Sequence, residues 1–350
     1  MKKPSHSRQG AVICGAYGRS NSGDDAVLAA IIAALRKIDK DMPLTVMARK
    51  PAATAKRFGV AAVHPLDFPK WLRAMGRARL FISGGGTLLQ DVTSRRSLWF
   101  YLFSIRMAKK RRCAVQLYGC GIGPLRREAS RKQAADTLNA CADVITVRDG
   151  ESAALLEEIG VKKPLILTAA DPALSLSAVP GERERCVGFA LRDWPGFWRH
   201  VPDFAAAARY AYEKYRLRPV LLCLAPEDRT AARSVCAALA DMPVSVSVDA
   251  RRAERMSLIV SMRLHGLVFA LRSGIPAAGV SYDPKVSAFC REAGLPVAAL
   301  EDADAETLCR LVDEAVHLDG EGLRAAAKEA REREKANARA AAELLAERGE

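Results

Sequence analysis

Short apolar runs alternate along the chain with longer stretches in which apolar residues return every three or four positions. Residues 12–15, 44–48, 80–82, 114–118, 143–147 and 165–167 read as buried strands, and 26–38, 66–78, 98–107 and 152–159 as helices. After a polar stretch at 175–186 the alternation begins again. Strands are predicted at 187–191, 219–224, 244–248 and 277–280, and helices at 204–215 and 230–239, with 253–259 leading into an apolar helix that opens near residue 263. Strands alternating with helices twice over, around a linker, imply an α/β protein of two parallel-sheet domains facing each other. The expected domains are 10–174 and 187–320, joined by the linker 175–186 and followed by a charged, Ala-rich helical tail at 321–350. That tail interleaves seven basic and seven acidic residues, which predicts a mostly exposed helix.

Almost every predicted strand ends in residues able to bind something. The first runs into Ala16–Asp25, a Gly- and Asn-containing loop before a helix. Such a junction offers free amides and a helix dipole to an anion, although a capped turn with Asp24 or Asp25 as N-cap fits the same residues. GxGxxG and Walker spacings are both absent. The strand at 80–82 ends in Gly84-Gly85-Gly86, where three glycines let a ligand approach the backbone closely. Arg148 follows the strand at 143–147 and can fork onto a carboxylate or phosphate, or pair with a neighbouring acid. Asp171 closes the strand at 165–167, and Arg192 the strand at 187–191.

The densest constellation is at 261–289. Arg263 and His265 stand two positions apart at the entry to an apolar helix, and Tyr282, Asp283 and Lys285 follow the strand at 277–280. An imidazole titrates where a general acid or base must work, and a guanidinium grips carboxylate or phosphate in two places.

Composition narrows the classes. The 350 residues hold 50% hydrophobic and 27% charged side chains, a globular balance, and no apolar run is long enough for a spanning helix. The polar, basic first nine residues lack the apolar core of a signal peptide, so a cytoplasmic location is expected, with room for a surface contact at the inner face of the membrane. The nine cysteines are scattered without CxxC pairs and are expected to be reduced. A net charge of +14 favours anionic partners. The basic residues at 106–112 read as a solvated helix end, which could also meet anionic lipid. Neither HExxH nor paired Cys/His spacing nor a GxSxG elbow occurs, so no metal is expected, and no nucleic-acid module is recognisable. What remains suits transfer chemistry on a small anion bearing two negative groups.

Several blocks in order resemble the polysaccharide pyruvyl transferase family, specifically its CsaB type: GAYGRSNSGDDAVL at 15–28, SGGGTLLQDVTSRRSLWFYL at 83–102, GCGIGPL at 119–125, TVRDGES at 146–152, TAADPAL at 168–174, SMRLHGLVFAL at 261–271 and SYDPKVSAF at 281–289. The sequence departs at Cys120, where related chains often carry Gln. The resemblance implies a fold like that of GT-B glycosyltransferases, two Rossmann-like domains facing each other with the site in the cleft between them. It implies phosphoenolpyruvate as co-substrate, with no other cofactor, and a sugar acceptor that receives pyruvate as a ketal across two hydroxyls. For the CsaB type the acceptor is similar to a lipid-linked N-acetylmannosamine-containing repeat of a secondary cell-wall polysaccharide, later bound by surface-layer proteins. On that footing His265 is the expected general acid/base with Arg263 beside it. Arg148, Lys285, Arg263 and Arg192 are expected on the donor, and Gly84, Gly85, Gly86, Asn21, Asp24 and Asp171 around the acceptor. A GT-B glycosyltransferase using a nucleotide sugar is the alternative, since fold alone does not choose the donor.

Overall fold

In the computed structural model, which describes residues 8–92 and 94–347, thirteen strands form two wholly parallel sheets. The first holds β1 (Ala11–Cys14), β2 (Leu44–Met47), β3 (Ala61–Val63), β4 (Leu80–Gly84), β5 (Ala114–Cys120), β6 (Val144–Val147) and β7 (Leu165–Thr168), in the order β3-β2-β1-β4-β5-β6-β7. The second holds β8 (Glu184–Ala190), β9 (Arg218–Leu222), β10 (Ser245–Ser247), β11 (Met256–Ser261), β12 (Ala277–Ser281) and β13 (Val297–Ala299), in the order β10-β9-β8-β11-β12-β13. Both orders reverse direction at the first strand of the sheet, between β1 and β4 and between β8 and β11. In doubly wound sheets the crevice beyond the carboxyl ends at such a reversal is where ligands bind. The two parallel-sheet α/β domains expected from the alternation are present.

The central strands are readable because helices cover them on both faces. All residues of β1, β4, β5 and β6 are buried, as a parallel sheet requires. Trp71, Phe81 and Leu102 anchor the core around the first sheet, and Phe189, Phe197 and Phe204 that around the second.

Contacts divide the chain into two units. One contains the residues up to Arg19, Asp24–Ser175 and the chain from Glu332 onward; the other contains Ser20–Gly23 and Leu176–Arg331. Two expectations change accordingly. The polar stretch 175–186 is not wholly linker, because β8 starts at Glu184. Its carboxylate is held by Arg252 at 2.9 Å and its carbonyl accepts from the Ser257 hydroxyl at 2.8 Å, so the charge that suggests a loop is satisfied within the sheet. The tail is not mostly exposed. The helix Gly320–Glu347 buries Leu323, Ala327, Ala330, Glu334, Asn337, Ala340, Ala341, Leu344 and Leu345, a stripe at helical spacing among its charges. Leu345 caps this packing in the first unit, where its carbonyl accepts from the Arg79 guanidinium.

Several elements were not anticipated. The helices Pro51–Phe58, Glu128–Cys141, Pro284–Ala293 and Ala305–Val316, and the short edge strands β3 and β13, are among them. No described helix is long and apolar enough to cross a membrane.

Candidate functional site

In the first unit, the loops after β1, β4, β5, β6 and β7 bring one cluster together at the carboxyl edge of the sheet. Arg148 follows β6 directly and is only 6% exposed. Its Nη1 donates to Asp171 Oδ2 at 3.1 Å and its Nη2 to Thr87 Oγ1 at 3.2 Å, while Nε lies 3.7 Å from Asp149 Oδ2. Asp171, itself buried, also accepts from the Ala173 amide at 3.0 Å, which fixes the carboxylate from its other side. A guanidinium this enclosed needs a glycine beside it. A Cβ on Gly121 would stand 3.0 Å from Arg148 Nη2 and 2.9 Å from Thr87 Oγ1.

The Gly84-Gly85-Gly86 loop serves the same cluster. Gly84 O accepts from the Tyr17 hydroxyl at 2.6 Å, and Gly85 and Gly86 adopt φ of 91° and 59°, where other residues are strained. Gly86 faces Asp24: a Cβ there would be 3.2 Å from Asp24 Oδ1. Asp24 is not an N-cap, because the helix begins at Ser22 and places both Asp24 and Asp25 in its first turn. Burial pushes the Asp24 carboxyl up to about 7, with the neighbouring Asp25 adding to the shift and Arg148 and Arg19 opposing it. Asp25 is different: its carboxylate is paired with Arg57 at 2.6 Å. Asp24 is thus a carboxyl able to exchange a proton near neutrality at a strand-end cluster, the property expected of an acid/base group.

In the second unit, the corresponding edge gathers Arg192 after β8, Glu227 and Asp228 after β9, Arg263 and His265 after β11, and Asp283 and Lys285 after β12. Arg263 precedes the helix Leu264–Arg272. The expectation gave it the donor grip, yet its guanidinium is turned onto acids of its own unit. Nε donates to Asp228 Oδ1 at 2.9 Å, Nη2 to the same oxygen, and Nη2 to Glu227 Oε1 at 3.1 Å. Asp228 is fully buried and also accepts from the amides of Leu224 and Ala225 at 3.0 Å each, so the pair ties the end of β11 to the end of β9.

His265 sits in the first turn of that helix, half-buried, with the backbone of Gly23 laid on its ring. A Cβ on Gly23 would lie 2.1 Å from His265 Nδ1. Asn21 shapes this approach, its Oδ1 accepting from the Gly23 amide at 3.0 Å, and the Ser22 amide donates to Leu224 O at 2.8 Å. Arg192 lies over Trp194 and Tyr282, 5.2 and 5.4 Å from their ring centres, and donates to the Tyr282 hydroxyl at 2.8 Å. Lys285 Nζ donates to Asp283 Oδ2 at 2.8 Å, while the other carboxylate oxygen caps the helix Pro284–Ala293 through the Lys285 amide.

The structure therefore places Asp24, Gly84, Gly85, Gly86, Arg148 and Asp171 in one strand-end cluster, and Asn21, Arg192, Arg263, His265 and Lys285 at the other sheet edge. Sequence reasoning missed Thr87, Gly121 and Asp228. Gly121 had a visible signal in the Gly-Cys-Gly-Ile-Gly run after β5, and Thr87 in its place directly after the three glycines. Among the described residues no group of three or more His, Cys, Asp or Glu side chains could hold a metal ion.

Known proteins agree with this architecture. The model of the polysaccharide pyruvyl transferase family matches residues 21–284. Among solved structures the chain is similar to Anabaena HepE crystallised with UDP, at 12% identity and a TM-score of 0.64 over 97% of this chain and 100% of that one. It is similar to the UDP-GlcNAc 2-epimerase of Methanocaldococcus jannaschii, at 10% identity and 0.62 over 91% and 98%. It is also similar to S. aureus MnaA solved with UDP, at 13% identity and 0.62 over 92% and 91%. At such identities the likeness is one of fold, that of the GT-B enzymes. No curated protein sequence matches the chain.

Proposed function

The chain belongs to the polysaccharide pyruvyl transferase family, a family of transferase enzymes, and from that premise we propose that it moves the pyruvyl group of phosphoenolpyruvate onto two hydroxyls of a sugar. The observation that carries the reading is the family match over residues 21–284, a span that includes every strand-end residue of both clusters except Lys285. The finer assignment follows the CsaB-type blocks. The acceptor is an N-acetylmannosamine residue of a lipid-linked polysaccharide repeat destined for the cell wall.

The reaction needs a proton delivered to the methylene carbon of the donor, which leaves an oxocarbenium-like centre at C2. One sugar hydroxyl adds there and loses its proton; phosphate departs with the C–O bonding pair; a second hydroxyl closes the ketal and loses its proton. In this reading His265 delivers the first proton, since its ring stands at the carboxyl edge of β11. Arg148 in the first unit, and Lys285 and Arg192 in the second, are each suited to grip a carboxylate or phosphate of the donor and to balance the charge of a leaving phosphate. The enclosed Arg148 is already oriented by Asp171 and Thr87, so little ordering is needed to use it. Arg263 acts through position, holding the turn that carries His265. Asp24, with its carboxyl at about 7, is suited to take a proton from an acceptor hydroxyl beside the Gly84–Gly86 loop.

The test is incubation of the purified protein with phosphoenolpyruvate and an N-acetylmannosaminyl acceptor, following phosphate release and the mass of the product. Stoichiometric phosphate and an acid-labile pyruvylated sugar are expected. Two of the structural neighbours were solved with UDP, which makes a nucleotide-sugar glycosyltransferase the second reading. Turnover of a UDP-sugar without phosphate release from phosphoenolpyruvate would replace the first reading with that one.

A further inference from the structure

We infer that the outer face of the helix Arg95–Lys110, with the residues packed beside it, docks the protein onto an anionic lipid surface. Trp99 is 49% exposed, and its ring lies flat on Phe103, with centres 5.0 Å apart and planes 8° apart. Phe103 is held in turn by edge contacts to Phe68 at 6.1 Å and Trp71 at 6.2 Å. The exposed indole is thus fixed on a rigid aromatic base. Leu66, two residues before Phe68, is 70% exposed, and Val92 on the approach to the helix is 40% exposed. Large apolar groups left in water near a rigid aromatic platform mark a candidate surface that is covered in use.

Charge identifies what covers it. The sixteen residues of this helix include five basic side chains and no acid; Lys109 is paired with Asp143 at 2.5 Å and Arg106 donates to the Thr137 hydroxyl at 2.6 Å, which leaves Arg95, Arg96 and Lys110 as the outward charges. Arg95 and Arg96 occupy its first turn, where the helix dipole disfavours a cation, and neither pairs with a carboxylate of a described residue. A phosphate outside would offset that cost. Trp99 follows Arg96 and Arg95 by three and four positions and shares their face. Arg126 and Arg127, both exposed, are tied through their amides to Asp91 at 2.8 and 3.0 Å, beside Val92.

Indole rings at the level of lipid headgroups, aliphatic tips just below them and arginines on the phosphates are the pattern of an interfacial contact. A nucleic acid would use the arginines and the indole but would gain nothing from Leu66 and Val92. The inference does not depend on the donor or the acceptor proposed above.

Flotation of the full-length protein with vesicles of phosphatidylcholine, alone or mixed with phosphatidylglycerol, tests it. Binding is expected to the anionic vesicles, to weaken as salt is raised, and to fall about tenfold or more in Trp99→Ala and in Arg95→Glu/Arg96→Glu. Both variants alter exposed side chains, and circular dichroism would confirm that they fold. The inference is overturned if the protein ignores anionic vesicles, or if it binds them equally well in both variants. It is also overturned if Trp99→Ala abolishes self-association or oligonucleotide binding while vesicle binding stays undetectable.

Discussion

The backbone of Gly23 lies against the imidazole of His265 so closely that a methyl group added to it would fall 2.1 Å from Nδ1. No side chain can occupy that position without moving the ring or the turn. Gly23→Ala should therefore act on catalysis through His265. We expect it to lower kcat by about 10²-fold or more, close to the loss from His265→Ala, while the double variant is little worse than either single one. Steady-state kinetics on the three proteins, with circular dichroism to confirm folding, checks this; additive losses would show that Gly23 acts elsewhere.

Arg148 and Asp171 form an enclosed ion pair, and removing the acid would leave a buried guanidinium held by Thr87 and the more distant Asp149. Asp171→Ala is expected to destabilise the fold by about 3 kcal/mol, the lower end of the range for breaking such a pair, because those two partners remain. Denaturant unfolding measures it. Thr87→Val should cost less in stability but raise KM for phosphoenolpyruvate, since the guanidinium would then lose one of the groups that orient it.

The two sheets were legible because their central strands are apolar on both faces and end in glycines and charges. The strand-end position of Arg148, Asp171, Arg263 and His265 could be read from sequence for the same reason. What those side chains touch could not be read, since Asp228 lies thirty-five residues before Arg263 and Thr87 sixty-one before Arg148. The edge strand β3 is three residues long and half-exposed, too weak a pattern to separate from loop. In the tail, interleaved charges hid a stripe built mostly from alanine, whose burial depends on a partner surface that periodicity does not reveal.

That tail should be indispensable to the first unit. Asn337 is fully buried, its Nδ2 donating to Ala170 O at 3.1 Å and its carbonyl accepting from Gln116 Nε2 at 2.9 Å. Asn337→Leu removes the first bond and leaves the Ala170 carbonyl without that donor, next to the Asp171 that orients Arg148. A loss of about 2 kcal/mol is expected from unfolding curves, and ending the chain at Arg331 should yield insoluble protein. A truncated protein as stable as the full chain would contradict this.

Asp24 and Glu334 both hold their protons more tightly in the folded chain than in the unfolded one, each carboxyl being pushed up to about 7 by burial first. The sign of their effect on stability follows. Between the ordinary carboxylate range near pH 4 and about pH 7 the folded state binds more protons than the unfolded, so these groups make stability fall as pH rises through that window. For Asp24, a carboxyl pushed up to about 7 would correspond to ~4 kcal/mol if fully expressed, and its partly exposed side chain reduces this to about 2 kcal/mol. Asp24→Asn should accordingly stabilise the protein at pH 8 and leave it nearly unchanged at pH 4, with Glu334→Gln shifting stability in the same direction. Thermal or denaturant unfolding across that range separates structure from catalysis: Asp24→Asn should gain stability at pH 8 while losing activity there, and a variant that loses both would place Asp24 among the purely structural acids.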